Sequence, residues 1–180
     1  ICAAALLAAA AGVGQLFVTG WLCVILGALL GFLPHNYPPA RVFMGDAGSL
    51  VVGFLLAASS CLTTYVQPGQ THVLYGVLVP VIVMAVPLYD MVSVVTLRLR
   101  DRKSPMVGDR RHFSHRLVRR GMSVRTAVLT IYLCTGATSI AACLLPRVDT
   151  IGALLIFAQT LAILLIIALL ESAEPRTNKP

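Results

Sequence analysis

Charge is scarce in this chain, and acidic charge above all. Only 12% of its 180 residues are Asp, Glu, Lys or Arg, and seven are acidic. A water-soluble domain carries about twice that share. With 58% hydrophobic residues, a solvated disordered chain is excluded as well. The five cysteines (Cys2, Cys23, Cys61, Cys134, Cys143) lack C-x-x-C spacing and all lie in apolar runs. Neither a zinc site nor a disulfide framework is indicated, and they read as small hydrophobes. No Walker or dinucleotide glycine pattern occurs, and Gly12-Val-Gly14 sits in an alanine-rich stretch that makes no phosphate cradle. A start methionine is also missing. Ile1 leads directly into apolar sequence with no basic region before it, which excludes a signal peptide and suggests a start inside a membrane segment with an upstream part absent.

What is present is long apolar sequence. About 20 apolar residues cross the hydrocarbon as a helix, the form that satisfies every backbone group internally. Five runs qualify, at about 16–34, 48–66, 73–95, 126–145 and 151–170. The stretch 1–13 reads as the remainder of a sixth. The expected fold is all-α, a polytopic transmembrane helix bundle forming a single membrane domain over 1–180, with a frayed polar tail at 171–180. Gly27 and Gly31 form a G-x-x-x-G pair, a weak pattern that close helix packing would explain.

The net charge of +7 is local. Ten of the 14 Lys and Arg fall between Arg98 and Arg125, opposed there only by Asp101 and Asp109. The positive-inside rule makes the loop 96–125 cytoplasmic. Alternation then puts the loop at about 35–47 on the same side, with Gln67–His72 and Pro146–Thr150 outside and the C-terminus inside. Nucleic acid is not an expected partner, since Phe113 is the loop's only aromatic residue and no stacking platform exists.

The two cytoplasmic loops hold most of the polar residues able to do chemistry. In Asn36-Tyr-Pro-Pro-Ala-Arg41-Val-Phe-Met-Gly-Asp46-Ala-Gly-Ser49, Pro38 and Pro39 hold the chain extended. Gly45 and Gly48 leave little bulk around Asp46, and a helix expected from about Ala47 points its positive end at the interface. Asp46 therefore suits Mg²⁺ shared with substrate phosphates; the plain alternative is a helix N-cap. Asp90, within Pro87-Leu-Tyr-Asp90, is a carboxylate at membrane depth and a functional candidate by default. It could equally pair with Arg98 or belong to a kink at Pro87. In Asp109-Arg110-Arg111-His112-Phe-Ser-His115-Arg116, a helical conformation would put His112 and His115 on one face beside Arg116, where arginine and imidazole suit phosphate. Attachment to anionic lipid explains the arginines without function, but leaves the histidines and Asp109 unexplained.

These motifs, in this order and separated by apolar helices, resemble the polyprenyl-phosphate N-acetylhexosamine-1-phosphate transferases. The likeness spans nearly all of the chain but only the second half of a typical member. It implies transfer of a sugar-1-phosphate from a UDP-N-acetylhexosamine to a polyprenyl phosphate at the cytoplasmic face of the plasma membrane, with Mg²⁺ (or Mn²⁺) assisting and UMP leaving. Asp46 would be a catalytic Mg²⁺ ligand. His112 and His115 would be catalytic. Asn36, Arg41, Asp90, Arg110 and Arg116 would bind substrate. A second copy of the chain is a candidate partner. Asp90 and the His-x-x-His-Arg form favour the GlcNAc-1-phosphate branch. Ser114 stands where the family usually has a further histidine, and the family's paired aspartates and Asn…Asp-Gly segment have no counterpart here. The expectation is activity as part of a longer chain and inactivity alone. The competing reading is a non-catalytic relative, or a scaffold binding anionic lipid through the basic loop.

Overall fold

In the computed structural model, residues 1–37, 39–65, 73–102 and 112–172 are described. They form eight helices: α1 (Cys2–Gly12), α2 (Leu16–Asn36), α3 (Gly45–Leu62), α4 (Val73–Val83), α5 (Ala85–Arg100), α6 (Phe113–Arg119), α7 (Val124–Leu144) and α8 (Thr150–Ser172). A single 3-10 turn, Leu145–Arg147, follows α7. No strand occurs among the described residues. This is the all-α bundle expected from the apolar runs, and the chain is an integral membrane protein.

Four helices are long and apolar enough to cross a bilayer alone: α2, α3, α7 with its 3-10 turn, and α8. The expected span 73–95 departs from the others, being divided at Met84 into α4 and α5. Proline chemistry accounts for the division. Pro87 has no N–H, so the carbonyl of Val83 loses its partner four residues on. Met84 takes φ −91° and ψ 6°, and the Cys2 thiol from α1 donates to the Val83 oxygen at 3.4 Å. The helix resumes at once, with the Leu88 N–H on the Met84 oxygen at 2.8 Å. The bundle has five crossings only when this broken pair counts as one.

The packing centre is α7, which touches α1, α4, α5, α6 and α8. Its buried residues are small: Ala127, Thr135, Thr138, Ser139, Ala141 and Ala142. Short side chains let neighbouring backbones approach, the usual basis of helix association where hydrocarbon surrounds both partners. Two core clusters result. One gathers Leu6, Leu22, Val79, Val83, Ala142, Leu145 and Ile156 from α1, α2, α4, α7, the 3-10 turn and α8. The other gathers Val86, Phe113, Leu117, Ala127 and Ile167 from α5 through α8. By contrast, α2 and α3 keep long apolar faces open, including Leu16, Phe17, Val24, Leu50 and Phe54, which suits contact with hydrocarbon. Gly27 and Gly31 lie on such an open face, and a Cβ at either would meet nothing within 4 Å. The expected close packing through that pair is absent among the described residues.

At the end away from the basic loop, Gly14 turns the chain with φ +73°, and Gln15 ties α2 to the end of α3. Its amide nitrogen donates to Thr64 Oγ1 at 2.9 Å and its oxygen accepts the Thr64 N–H at 2.6 Å. At the other end, α8 continues through Ser172. Glu171 thus stands in a helix and not in a polar tail as the sequence reading had it; residues 173–180 lie outside the described residues.

Candidate functional site

The site is organised by Asp90, just over half a turn beyond Leu88 on α5. Its Oδ1 accepts the Phe113 N–H at 2.7 Å, its Oδ2 lies 3.1 Å from His112 Nδ1, and Arg116 Nη2 reaches Oδ1 at 3.4 Å. A carboxylate on one helix thereby supplies the N-terminal cap of another, since His112, the residue before α6, makes no cap bond with its own side chain. Asp90, for which the sequence left open a pair with Arg98 or a kink at Pro87, pairs with Arg116. The intramembrane carboxylate is a quarter exposed and fully engaged, which removes most of the penalty for placing it there.

Helix α6 holds this geometry through both its ends and its core face. Phe113 and Leu117, four apart and both buried, seat it on α5, α7 and α8. At its C-terminus Gly121 takes φ +93°. The Gly121 N–H reaches the Val118 oxygen at 3.0 Å and the Met122 N–H the Leu117 oxygen at 3.3 Å. That pair of bonds is a Schellman motif, which demands the left-handed conformation glycine adopts without strain. Ser123 then caps α7 by accepting the Thr126 N–H at 3.1 Å.

His112 has extended backbone (φ −61°, ψ 155°) and precedes α6, while His115 lies within it. The two do not share a helix face as expected. Both are exposed, and among the described residues only His112 is held by a carboxylate. With Nδ1 on Asp90, its Nε2 is the ring nitrogen left for a ligand.

Arg116 is more buried than its expected role requires. Its Nη2 contacts Glu171 Oε1 at 3.0 Å and Ser93 Oγ at 2.5 Å in addition to Asp90. Tyr89 donates to Glu171 Oε2 at 3.1 Å. The guanidinium therefore binds α5, α6 and α8 together. Breaking one partner of such a pair costs on the order of 3–5 kcal/mol, because the other ion stays desolvated. Sequence reasoning missed Glu171, Tyr89 and Ser93. The available signal was that Glu171 is the one charged residue of α8.

The other candidates lie on the loop between α2 and α3. Asn36 donates to the Val42 oxygen at 3.0 Å, and the Arg41 and Val42 N–H groups both reach the His35 oxygen. The loop runs beside the start of α7, forming an open groove of about 800 Å³ lined by Asn36, Pro39, Ala40, Phe43, Ser123, Val124 and Arg125. Loop 35–47 and the basic segment therefore share one end of the bundle. Asp46 is exposed in the first turn of α3; Met44 and not Asp46 occupies the cap position, and Gly45 takes φ +63°. No hydrogen bond or ion pair joins Asp46 to the Asp90 cluster among the described residues. Arg110 lies outside the described residues, as do Asp109 and Arg111.

Among the described residues no three side chains converge to hold a metal ion. Mg²⁺ commonly takes only one or two carboxylates and completes its shell with water and substrate phosphate. Asp46 is an exposed carboxylate in the first turn of α3, the donor type one such ligand would require.

These features define a polytopic helical membrane protein with a carboxylate–imidazole–guanidinium cluster at one end of its bundle. The family described as Glycosyl transferase family 4 matches residues 1–64, which include Asn36, Arg41 and Asp46. A Bacillus subtilis protein named "Probable undecaprenyl-phosphate N-acetylglucosaminyl 1-phosphate transferase" is 32% identical over 155 residues, 83% of this chain and 42% of that protein. The "Decaprenyl-phosphate N-acetylglucosaminephosphotransferase" of Mycolicibacterium smegmatis is 42% identical over 63% of this chain and 30% of its own length. The "Undecaprenyl-phosphate alpha-N-acetylglucosaminyl 1-phosphate transferase" of Escherichia coli K12 is 35% identical, over 67% of this chain and 33% of its own length. No solved structure matches. The chain belongs to the polyprenyl-phosphate N-acetylhexosamine-1-phosphate transferase family. It spans less than half the length of these relatives.

Proposed function

We propose that the gene product carrying this chain transfers N-acetylglucosamine-1-phosphate from UDP-GlcNAc to a polyprenyl phosphate at the cytoplasmic face of the plasma membrane, with Mg²⁺ required and UMP released. The observation that carries the reading is the Asp90–His112 pair at the membrane end of α5, in a chain whose relatives are named for this chemistry. A lipid-phosphate oxygen would attack the phosphorus that bears the sugar. The new P–O bond forms as the pyrophosphate bond to UMP breaks.

Such a transfer needs little covalent help from the protein, and its barrier falls through positioning and charge neutralisation. Asp90 holds the His112 ring through Nδ1, so that the unprotonated Nε2 can take a proton from the attacking lipid phosphate. Arg116 is engaged by Asp90, Glu171 and Ser93, which supports a role in holding the site together in place of the direct phosphate grip expected from sequence. Asp46 would hold the cation, which supplies neutralisation of phosphate charge. Asn36, Arg41, His115 and Arg110 remain proposed substrate contacts on the same membrane face.

The test is UMP release in membranes containing the gene product, with UDP-GlcNAc and a polyprenyl phosphate. Asp46→Asn is expected to abolish Mg²⁺-dependent release. Near-wild-type release by that variant removes Asp46 from the metal site. Absence of release from the wild type sinks the transferase reading and leaves the lipid-binding scaffold.

A further inference from the structure

The unexplained feature is Glu171. It is the one charged residue along α8, its side chain is 11% exposed, and the reaction as described assigns it nothing. We propose that Glu171, backed by Tyr89, is a positioning residue for His112, acting through Arg116 on Asp90.

The distances carry the argument. A single nitrogen, Arg116 Nη2, faces three acceptors: Ser93 Oγ at 2.5 Å, Glu171 Oε1 at 3.0 Å and Asp90 Oδ1 at 3.4 Å. The guanidinium's nearer carboxylate is therefore Glu171, which Tyr89 Oη holds from its far oxygen at 3.1 Å. Arg116 meets Glu171 as an ion pair at 3.0 Å without hydrogen-bond geometry and gives Asp90 a single long hydrogen bond at 3.4 Å. Asp90 can then give Oδ2 to His112 and Oδ1 to the Phe113 N–H. Without the Glu171 charge, Asp90 becomes the only carboxylate among the described residues in contact with Arg116. Guanidinium prefers to take both oxygens of a carboxylate, and the oxygen it gains is the one that orients His112. Glu171 thus keeps two basic groups from competing for one acid. The bland alternative is that Glu171 merely anchors the end of α8, which predicts lost stability and nothing else.

The inference rests on the transferase reading only for its kinetic arm. The other arm uses the gene product in native membranes. Diethyl pyrocarbonate modification of His112 is followed by peptide mass, with exposed His115 in the same molecule as reference. A carboxylate partner on Nδ1 makes Nε2 the more nucleophilic nitrogen, so Glu171→Gln is expected to lower the His112/His115 labelling ratio by about threefold or more. Tyr89→Phe, which deletes one hydroxyl, is expected to lower it in the same direction by less. Outer partners that orient metal-bound histidines matter by about tenfold or more, and a similar dependence is expected for a histidine oriented by Asp90. For Glu171→Gln, kcat per folded molecule should fall by that factor, with KM for UDP-GlcNAc changed less than about twofold.

An unchanged or raised labelling ratio in Glu171→Gln overturns the proposal, as does an unchanged kcat per folded molecule. Should Glu171→Gln fail to fold, Tyr89→Phe decides by the same ratio, and no change there overturns it. Absence of UMP release from the wild type counts against the transferase reading alone, and the labelling ratio still decides the role of Glu171.

Discussion

Replacing Asp90 by Asn changes one atom and separates the two things Asp90 does. The amide oxygen can still accept the Phe113 N–H, and Asn and Asp cap helices about equally well, so α6 should persist. The lost charge matters more. At 3.4 Å from Arg116 and an effective dielectric of about 20, the gross attraction is about 5 kcal/mol. Asp90 is a quarter exposed, and Glu171 remains at 3.0 Å from the same guanidinium. The net loss of stability should therefore be about 1–2 kcal/mol. The effect on His112 is larger in kind. An amide N–H facing Nδ1 forces the ring proton onto Nε2, reversing the tautomer the carboxylate supports. The same exchange in a serine-protease triad lowers kcat about 10⁴-fold. His112 is half-exposed and freer to reorient, so a fall of about 10² is expected here. The assay pairs UMP-release kinetics with amide exchange over residues 112–119. Retention of more than about a third of wild-type kcat with α6 still protected would refute the orienting argument. Lost protection of α6 together with lost activity would show that Asp90 serves as a clamp alone.

Two further substitutions probe the scaffold. Gly121→Ala places a side chain at φ +93°, a strain of about 1–2 kcal/mol, and the amides of α6 should exchange faster; unchanged exchange means the Schellman turn does not hold the helix. Pro87→Ala restores an N–H opposite the Val83 carbonyl, so the new amide should become slowly exchanging as α4 and α5 join. A freely exchanging amide there would mean that the break at Met84 has another cause.

Much of the fold was legible because bilayer thickness sets a length that composition alone can satisfy. The runs at 16–34, 126–145 and 151–170 became α2, α7 and α8 with ends moved by a residue or two. The Met84 break was less legible: Pro87 signals a missing donor, but the discontinuity falls three residues earlier, next to Val83, whose carbonyl loses its helical partner and takes the Cys2 thiol instead. Asp90, His112 and Arg116 stood out because charge at membrane depth and paired histidines are rare. Their arrangement did not, since the Asp90 bond to Phe113 joins residues 23 apart. Glu171 was hidden for a different reason. It follows a long apolar run and precedes a polar stretch, so by local pattern it belongs to the tail. Only its contacts with Arg116 and Tyr89 reassign it.

The position of α7 bears on how the protein is made. Both core clusters draw on its small residues, Ala141 and Ala142 in one and Ala127 in the other, before α8 adds its own. Synthesis runs from the N-terminus, so α1 and α4 enter the bilayer before the helix they pack against exists. They must wait there, tied to each other and, for α1, to α2 and α3. Assembly of the bundle is therefore a late event, triggered as α7 leaves the insertion machinery. A chain halted just before Val124 would hold every earlier helix and neither finished core.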